Sequence, residues 1–179
     1  TATGLNHPVC TATTNPAITT NAWHHAAATY NGTSWKLYLD GAELTIDTAC
    51  STCSGAACTV SPGATPEFTS IQHFGLGSML NSSGARSGFF QGRLDEVRVW
   101  NVARSLAQIQ PDQFREVTSA PNLIGRWSLN EGASTTAADS SGRANDGTLG
   151  GPNGLPVWST TVPFTGNDAC AHTNVANGS

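Results

Sequence analysis

Apolar and polar positions alternate over short stretches of this chain, and the three- and four-residue recurrence of an amphipathic helix is almost missing. Residues 23–30, Trp-His-His-Ala-Ala-Ala-Thr-Tyr, read as a strand that ends in an Asn31-Gly32 turn. Residues 34–39, Ser-Trp-Lys-Leu-Tyr-Leu, follow with Trp35, Leu37 and Leu39 on one face, and Asp40-Gly41 turns the chain into a strand at 42–46. Asn-Gly and Asp-Gly between alternating runs mark hairpins, because a type I′ turn needs positive φ at both central residues. Three strands joined in this way form a meander. Further strands are expected at 69–75, 88–92, 94–100, 123–129 and 154–160, with a loop rich in Ser, Asp, Asn and Gly over 134–154. One short helix is expected at 105–110: Ser105 can cap it, Leu106 and Ile109 share a face, and Pro111 limits its length. Short strands and turns with no interposed helices indicate an all-β fold, a sandwich of two antiparallel sheets.

Composition narrows the class. The 179 residues fit one domain. Charged residues make up 11 % of the chain, against roughly a quarter in an average protein, and Thr, Ser, Asn and Gly take the vacant surface positions. The net charge is −4, and the seven arginines are scattered beside the single lysine, Lys36. Such a chain offers no basic patch for phosphates, so a nucleic-acid partner is not expected. No apolar stretch approaches the ~20 residues that span a bilayer. No basic-then-apolar leader stands at Thr1, so any leader is expected to have been removed or to lie outside this chain.

Five cysteines, Cys10, Cys50, Cys53, Cys58 and Cys170, sharpen the compartment. Three of them share a Gly/Ser/Ala loop, Cys50-Ser-Thr-Cys53-Ser-Gly-Ala-Ala-Cys58. Zinc needs a fourth ligand that is not near in sequence, a haem attachment needs His where Ser54 stands, and a redox motif needs a βαβ setting. Disulfides within or out of this loop, in an oxidising compartment, are the expectation, with the odd count leaving one thiol over. Three sequons, at Asn31, Asn81 and Asn177, permit glycosylation without requiring it in a chain so rich in Asn, Ser and Thr.

Three segments together carry a resemblance. The first runs Trp23-His-His-Ala-Ala-Ala-Thr-Tyr-Asn-Gly-Thr-Ser-Trp-Lys-Leu-Tyr-Leu-Asp-Gly41. The second is Phe90-Gln-Gly-Arg-Leu-Asp-Glu-Val-Arg-Val-Trp-Asn-Val-Ala-Arg-Ser105. The third is Leu123-Ile-Gly-Arg-Trp-Ser-Leu-Asn-Glu-Gly132, continuing through Ala138-Asp-Ser-Ser-Gly-Arg-Ala-Asn-Asp-Gly-Thr-Leu149. The chain thereby resembles the LamG-like jelly-roll family, relatives of laminin G, pentraxin and concanavalin A-like domains. In that family the Trp-Glu-Gly and Asp-Ser-Ser-Gly segment usually opens a domain, whereas here it comes last. The expected organisation is therefore a sandwich over 1–118 whose front strands are missing. A late segment, 119–165, completes or edges the same sandwich, and 166–179 form a tail. A sheet edge left by missing strands calls for another chain or an N-terminal segment to cover it.

Candidate sites follow, each beside a plainer alternative. Asp139, Asn145 and Asp146 place hard oxygens in a Gly-rich loop that suits calcium, and LamG relatives often bind Ca²⁺ at loops or a sheet rim; Asp95 and Glu131 could join them. The alternative is that Asp139 and Asn145 cap turns. Asp95 and Glu96, adjacent in a strand, are expected to face opposite sides. The Glu-x-Asp-x-x-Glu strand of the lichenase-type glucanases, which share this broad fold, is absent. Retaining glycoside hydrolysis needs two carboxyls about 5 Å apart, and no motif here guarantees them. His24 and His25 likewise are expected on opposite faces, one packed and one exposed. No zinc-protease or serine-hydrolase signature occurs. Trp23, Trp35, Trp100 and Trp127 sit in apolar strand patterns and read as core. Trp158 and Tyr30, near loops, are the surface candidates for stacking on a ligand.

The reading is a secreted or cell-surface module without catalysis, gripping a glycan or an extracellular protein from loops at one rim, with calcium as a structural ion and no organic cofactor. The alternatives are a structural subunit of an extracellular fibre, sheath or surface layer, and an accessory domain of a glycoside hydrolase.

Overall fold

The computed structural model describes residues 9–47, 74–80, 86–150, 156–161, 163 and 175–176. The chain forms two compact units, one of residues 1–69 with 102–113 and the other of 70–101 with 114–179.

The first unit holds β1 (Cys10–Thr11), β2 (Ala26–Tyr30), β3 (Trp35–Leu39), β4 (Ala42–Leu44), β5 (Ile46–Asp47) and α1 (Leu106–Ile109). β2, β3 and β4 make the expected antiparallel meander, with Ala28 opposite Leu37 and Leu37 opposite Leu44. The Asp40-Gly41 turn has the positive φ at both residues that a type I′ hairpin requires, 48° and 72°. Gly41 is needed twice over: a Cβ there would also stand 2.8 Å from the Gln113 side chain. The carbonyl of Gly41 accepts from Gln110 Nε2 at 2.9 Å, which fastens the 106–113 segment to this turn. The Asn31-Gly32 expectation is corrected, since only Gly32 has positive φ, 99°. Asn31 instead closes a longer loop, its Oδ1 accepting the N–H groups of Thr33 and Ser34 at 3.0 and 2.8 Å. A side-chain acceptor substitutes here for the tight backbone turn. α1 starts after Ser105, whose N–H reaches Gln108 Oε1 at 2.9 Å, and Pro111 carries it into a 3₁₀ turn over Gln110–Asp112.

Directly opposed residues share a face of a sheet. The register therefore sets Trp35, Leu37 and Leu39 together, as the sequence predicts, and sets Thr29, Lys36, Tyr38 and Glu43 on the other side. Tyr38, on the more polar face, is nevertheless the buried one at 3 % exposure, while Trp35, Leu37 and Leu39 are half-buried.

The second unit holds β6 (Met79–Leu80), β7 (Arg86–Ser87), β8 (Arg93–Leu94), β9 (Val97–Trp100), β10 (Leu123–Trp127), β11 (Thr136–Ala137), β12 (Gly147–Thr148) and β13 (Val175–Ala176). The pairs β6–β7, β8–β13, β9–β10 and β11–β12 are all antiparallel. The core gathers Trp127, Leu129 and Ala137, with Leu94, Val97, Val99, Leu149 and Trp158 packed against it. Gly125 has no side chain because the Trp127 indole covers it: a Cβ would stand 2.7 Å from that ring.

Several strand expectations change here. The 88–92 run is not a strand; Gly88 takes φ 60°, and the Phe90 N–H turns to the Gly77 carbonyl at 2.8 Å. The 94–100 run breaks at Asp95-Glu96, where Glu96 has φ 48°. The 123–129 strand stops at Trp127, before Leu129 at φ 57°. Residues 69–73 and 154–155 lie outside the described residues, and 156–160 form no continuous strand. Among the described residues of the 134–154 stretch, 134–150, β11 pairs with β12 in a small ladder inside the turns.

Candidate functional site

On the Tyr38 side of the meander lies a shallow groove of about 280 Å³. Thr29, Asn31, Ser34, Lys36, Tyr38 and Glu43 line it from the sheet, and Ala103, Arg104, Ser105 and Leu106 from the approach to α1. Period-two alternation delivers Thr29, Lys36, Tyr38 and Glu43 to the same face. Lys36 Nζ stands 2.9 Å from Glu43 Oε2, and that hydrogen bond raises the Lys36 pKa. Arg104 Nη2 stands 2.5 Å from Asp112 Oδ2 and also donates to the Gln108 carbonyl. Two ion pairs therefore hold the charged side chains in place while hydroxyls and an amide line the rest. Lys36, Asn31 and Ser105 stand out in the sequence on other grounds, but no motif there joins these residues into a site. The available signal was the alternation of Thr29, Lys36, Tyr38 and Glu43 across the two turns.

Two further features belong to the same unit. Tyr30 lies on the opposite face, its ring 5.0 Å from Trp35 at 33°, its hydroxyl donating to the Gly32 carbonyl at 2.8 Å. His24 Nδ1 is 2.7 Å from Asp40 Oδ2, and Nε2 is 3.0 Å from the Thr19 carbonyl. The hydrogen bond to Asp40, then that to Thr19, raises the His24 pKa. This imidazole pins the approach to β2 onto the β3–β4 turn, whose Asp40 Oδ1 also accepts the His25 N–H at 2.8 Å.

In the second unit one group of charges is buried. Arg126, 6 % exposed, holds both oxygens of Glu96, 7 % exposed, at 2.7 and 3.3 Å, and stands 3.5 Å from Glu116 Oε2. Beside it, Asp95 Oδ1 accepts the Glu96 N–H at 2.9 Å, and Asp95 Oδ2 is buried without a hydrogen-bond partner. Burial, with the Glu96 charge adding, pushes Asp95 up to about 7. Glu96 is also raised by burial, against the pull of Arg126. Because the strand breaks between β8 and β9, the alternation that would send Asp95 and Glu96 to opposite faces does not operate at this point.

The late loop is organised by one carboxylate. Asp139 Oδ1 accepts the N–H groups of Arg126 and Ser141, both at 2.9 Å, and Oδ2 accepts that of Asn145 at 3.0 Å. Despite the cost of burial, these bonds hold its pKa well below the usual carboxylate range. Asp146 Oδ1 takes the Asp139 N–H at 2.8 Å, and the Asn145 carbonyl takes Trp127 Nε1–H at 3.0 Å. Glu131 Oε1 accepts the Ala138 N–H at 2.7 Å; its Oε2 is buried without a partner. Calcium would require several of these oxygens to converge. Asp139 and Asn145 meet through a turn hydrogen bond, and among the described residues no group of three or more His, Cys, Asp or Glu stands together to hold a metal ion. The donor set thus does not fit a calcium shared by Asp95, Glu131, Asp139 and Asn145.

Trp158 packs half-buried against the Trp127 core, with its indole N–H on the Ser134 carbonyl at 2.8 Å. Cys10 is half-buried and makes no disulfide with a described residue; Cys50, Cys53, Cys58 and Cys170 lie outside the described residues, as do Asn81 and Asn177. No helix among the described residues is long and apolar enough to cross a membrane.

No curated protein and no solved structure matches the chain. A laminin G-type family model of the concanavalin A-like lectin/glucanases superfamily does, over residues 2–110. That stretch contains the meander, all ten groove residues and the first two resembling segments, and it stops before the third. Antiparallel pairing throughout the described strands, with one short helix, agrees with it. The chain belongs to the concanavalin A-like lectin/glucanases superfamily and has its antiparallel β-sandwich fold class.

Proposed function

We propose that this chain is an extracellular recognition module without catalysis, and that it grips a glycan or a protein surface through the groove over Tyr38. The observation that carries the reading is the groove's lining: hydroxyls from Thr29, Ser34 and Ser105 and two ion pairs, on the hairpin and the segment leading into α1. Polar groups already gathered on one face of a sheet favour binding, since part of their ordering is complete before a ligand arrives. Both oxygens of Glu96 are engaged by Arg126 and those of Asp139 by main-chain N–H groups, so neither of these two carboxylates is free to attack a substrate. Calcium is not required by this reading. In the same reading, the late segment completes the sandwich begun by the first two, as the pairing of β10 with β9 supports.

Binding to immobilised panels of glycans and extracellular matrix proteins tests the proposal. The Lys36→Ala/Glu43→Ala double variant removes both members of the exposed pair together. It is expected to keep its melting temperature and lose at least about tenfold in affinity. Undiminished binding by this variant rejects the groove, and binding to neither panel rejects the module.

A further inference from the structure

The loop between β2 and β3 carries Asn31-Gly32-Thr33, which lies at the rim of the groove. We propose that Asn31 is a site of N-linked glycosylation, an inference that rests on the extracellular reading above. Four groups converge on its carboxamide oxygen: the N–H groups of Thr33 and Ser34 at 3.0 and 2.8 Å, and their hydroxyls at 3.0 and 3.3 Å. The oxygen is thereby held against the loop, while Nδ2 makes no hydrogen bond among the described residues and the residue is exposed. The Thr33 hydroxyl, the third member of the sequon, is itself one of the groups on that oxygen.

Room above the loop is also present. A Cβ on Gly32, at φ 99°, would meet nothing within 4 Å, so the sequon's middle residue stands in open space. Asn145 makes the contrast: it precedes Asp146-Gly147, which is no sequon, and its Nδ2 already bonds the Ile124 carbonyl at 3.4 Å. Among the described residues Asn31 is the one asparagine that begins an Asn-x-Ser/Thr sequence.

The donor is a polyprenyl-diphosphate-linked oligosaccharide. Asn31 Nδ2 bonds to the anomeric carbon, the carbon–oxygen bond to the diphosphate breaks, and the diphosphate leaves with that electron pair as the amide nitrogen gives up one proton. The attached sugar then stands at the rim beside Ser34.

The full chain, expressed behind a secretion leader in mammalian cells and recovered from the medium, provides the test. Peptide N-glycosidase in heavy-oxygen water converts a glycan-bearing asparagine into labelled aspartate, which distinguishes it from earlier spontaneous deamidation at Asn31-Gly32. The wild-type Asn31 peptide is expected to carry the label, Thr33→Ser to retain it, and Asn31→Gln and Thr33→Ala to lose it completely. Secreted chain whose Asn31 peptide is unlabelled, or label that survives Thr33→Ala, overturns the inference and leaves the extracellular reading standing. A chain retained in the cell rejects both.

Discussion

The Lys36–Glu43 pair of the first unit and the Arg126–Glu96 pair of the second use the same chemistry, a cation facing a carboxylate, in opposite environments. In the first unit Lys36–Glu43 is open to solvent, both side chains more than 40 % exposed, while Arg104, on a groove wall, pairs with the buried Asp112. In the second, Arg126 and Glu96 are both below 8 % exposed and Asp139 is closed in by main-chain donors. Exposed pairs contribute little to stability because water competes for both partners. Buried ones cannot lose a partner without leaving a charge in a poorly solvated place. The lesson is that the Lys36–Glu43 pair shapes a surface, whereas the Arg126–Glu96 pair and Asp139 are closed into the fold.

Breaking the buried pair gives the largest expected effect. Arg126→Ala leaves Glu96 enclosed and unpartnered and should cost about 3–5 kcal/mol in chemical denaturation. A loss below about 1 kcal/mol would erase the contrast between the two pairs. Next comes Asp139→Ala, which strips the acceptor from three N–H groups and should cost about 2–3 kcal/mol at neutral pH. Its pH dependence has a definite sign. The folded-state pKa of Asp139 is depressed, so its contribution is present above the ordinary carboxylate range and lost as pH falls below it. The gap between wild type and variant should therefore close in acid, and a constant gap would locate the effect elsewhere.

Asp95→Asn is a smaller, opposite case. Asp95 titrates near 7 in the fold against an ordinary 3.8, so the folded state holds the extra proton and wild-type stability falls as pH rises between those values. Asparagine keeps the acceptor for the Glu96 N–H without the charge, and after allowance for solvent screening should gain on the order of 1 kcal/mol at pH about 8 relative to pH about 5. No gain would show that water or movement already relieves this carboxylate. The Lys36/Glu43 double variant has the smallest expected effect on stability and the largest on binding, which is what separates a surface-shaping pair from one closed into the fold.

Much of this was open to local reasoning. The Asp40-Gly41 hairpin, the meander around it and the Ser105-capped helix follow from turn chemistry and periodicity, because each depends on neighbours a few residues away. The Asn31-Gly32 turn did not, since the Asn31 side chain accepts from residues two and three further on in place of a tight backbone turn, and neither did the break at Asp95-Glu96, where Glu96 turns to meet Arg126 across space. The groove was missed for the same reason: Arg104 and Ser105 join Lys36 and Glu43 only through the return of the 102–113 segment to the first unit.

The amino-acid order alone determined an antiparallel β chain of one superfamily, because alternation and turn residues act locally and survive without knowledge of partners. Tertiary structure decided which charges are buried. Arg126 and Glu96 lie thirty residues apart, and nothing in either neighbourhood distinguishes them from the exposed Lys36 and Glu43. Only the pairing of β9 with β10 closes them off from water and makes a common ion pair indispensable.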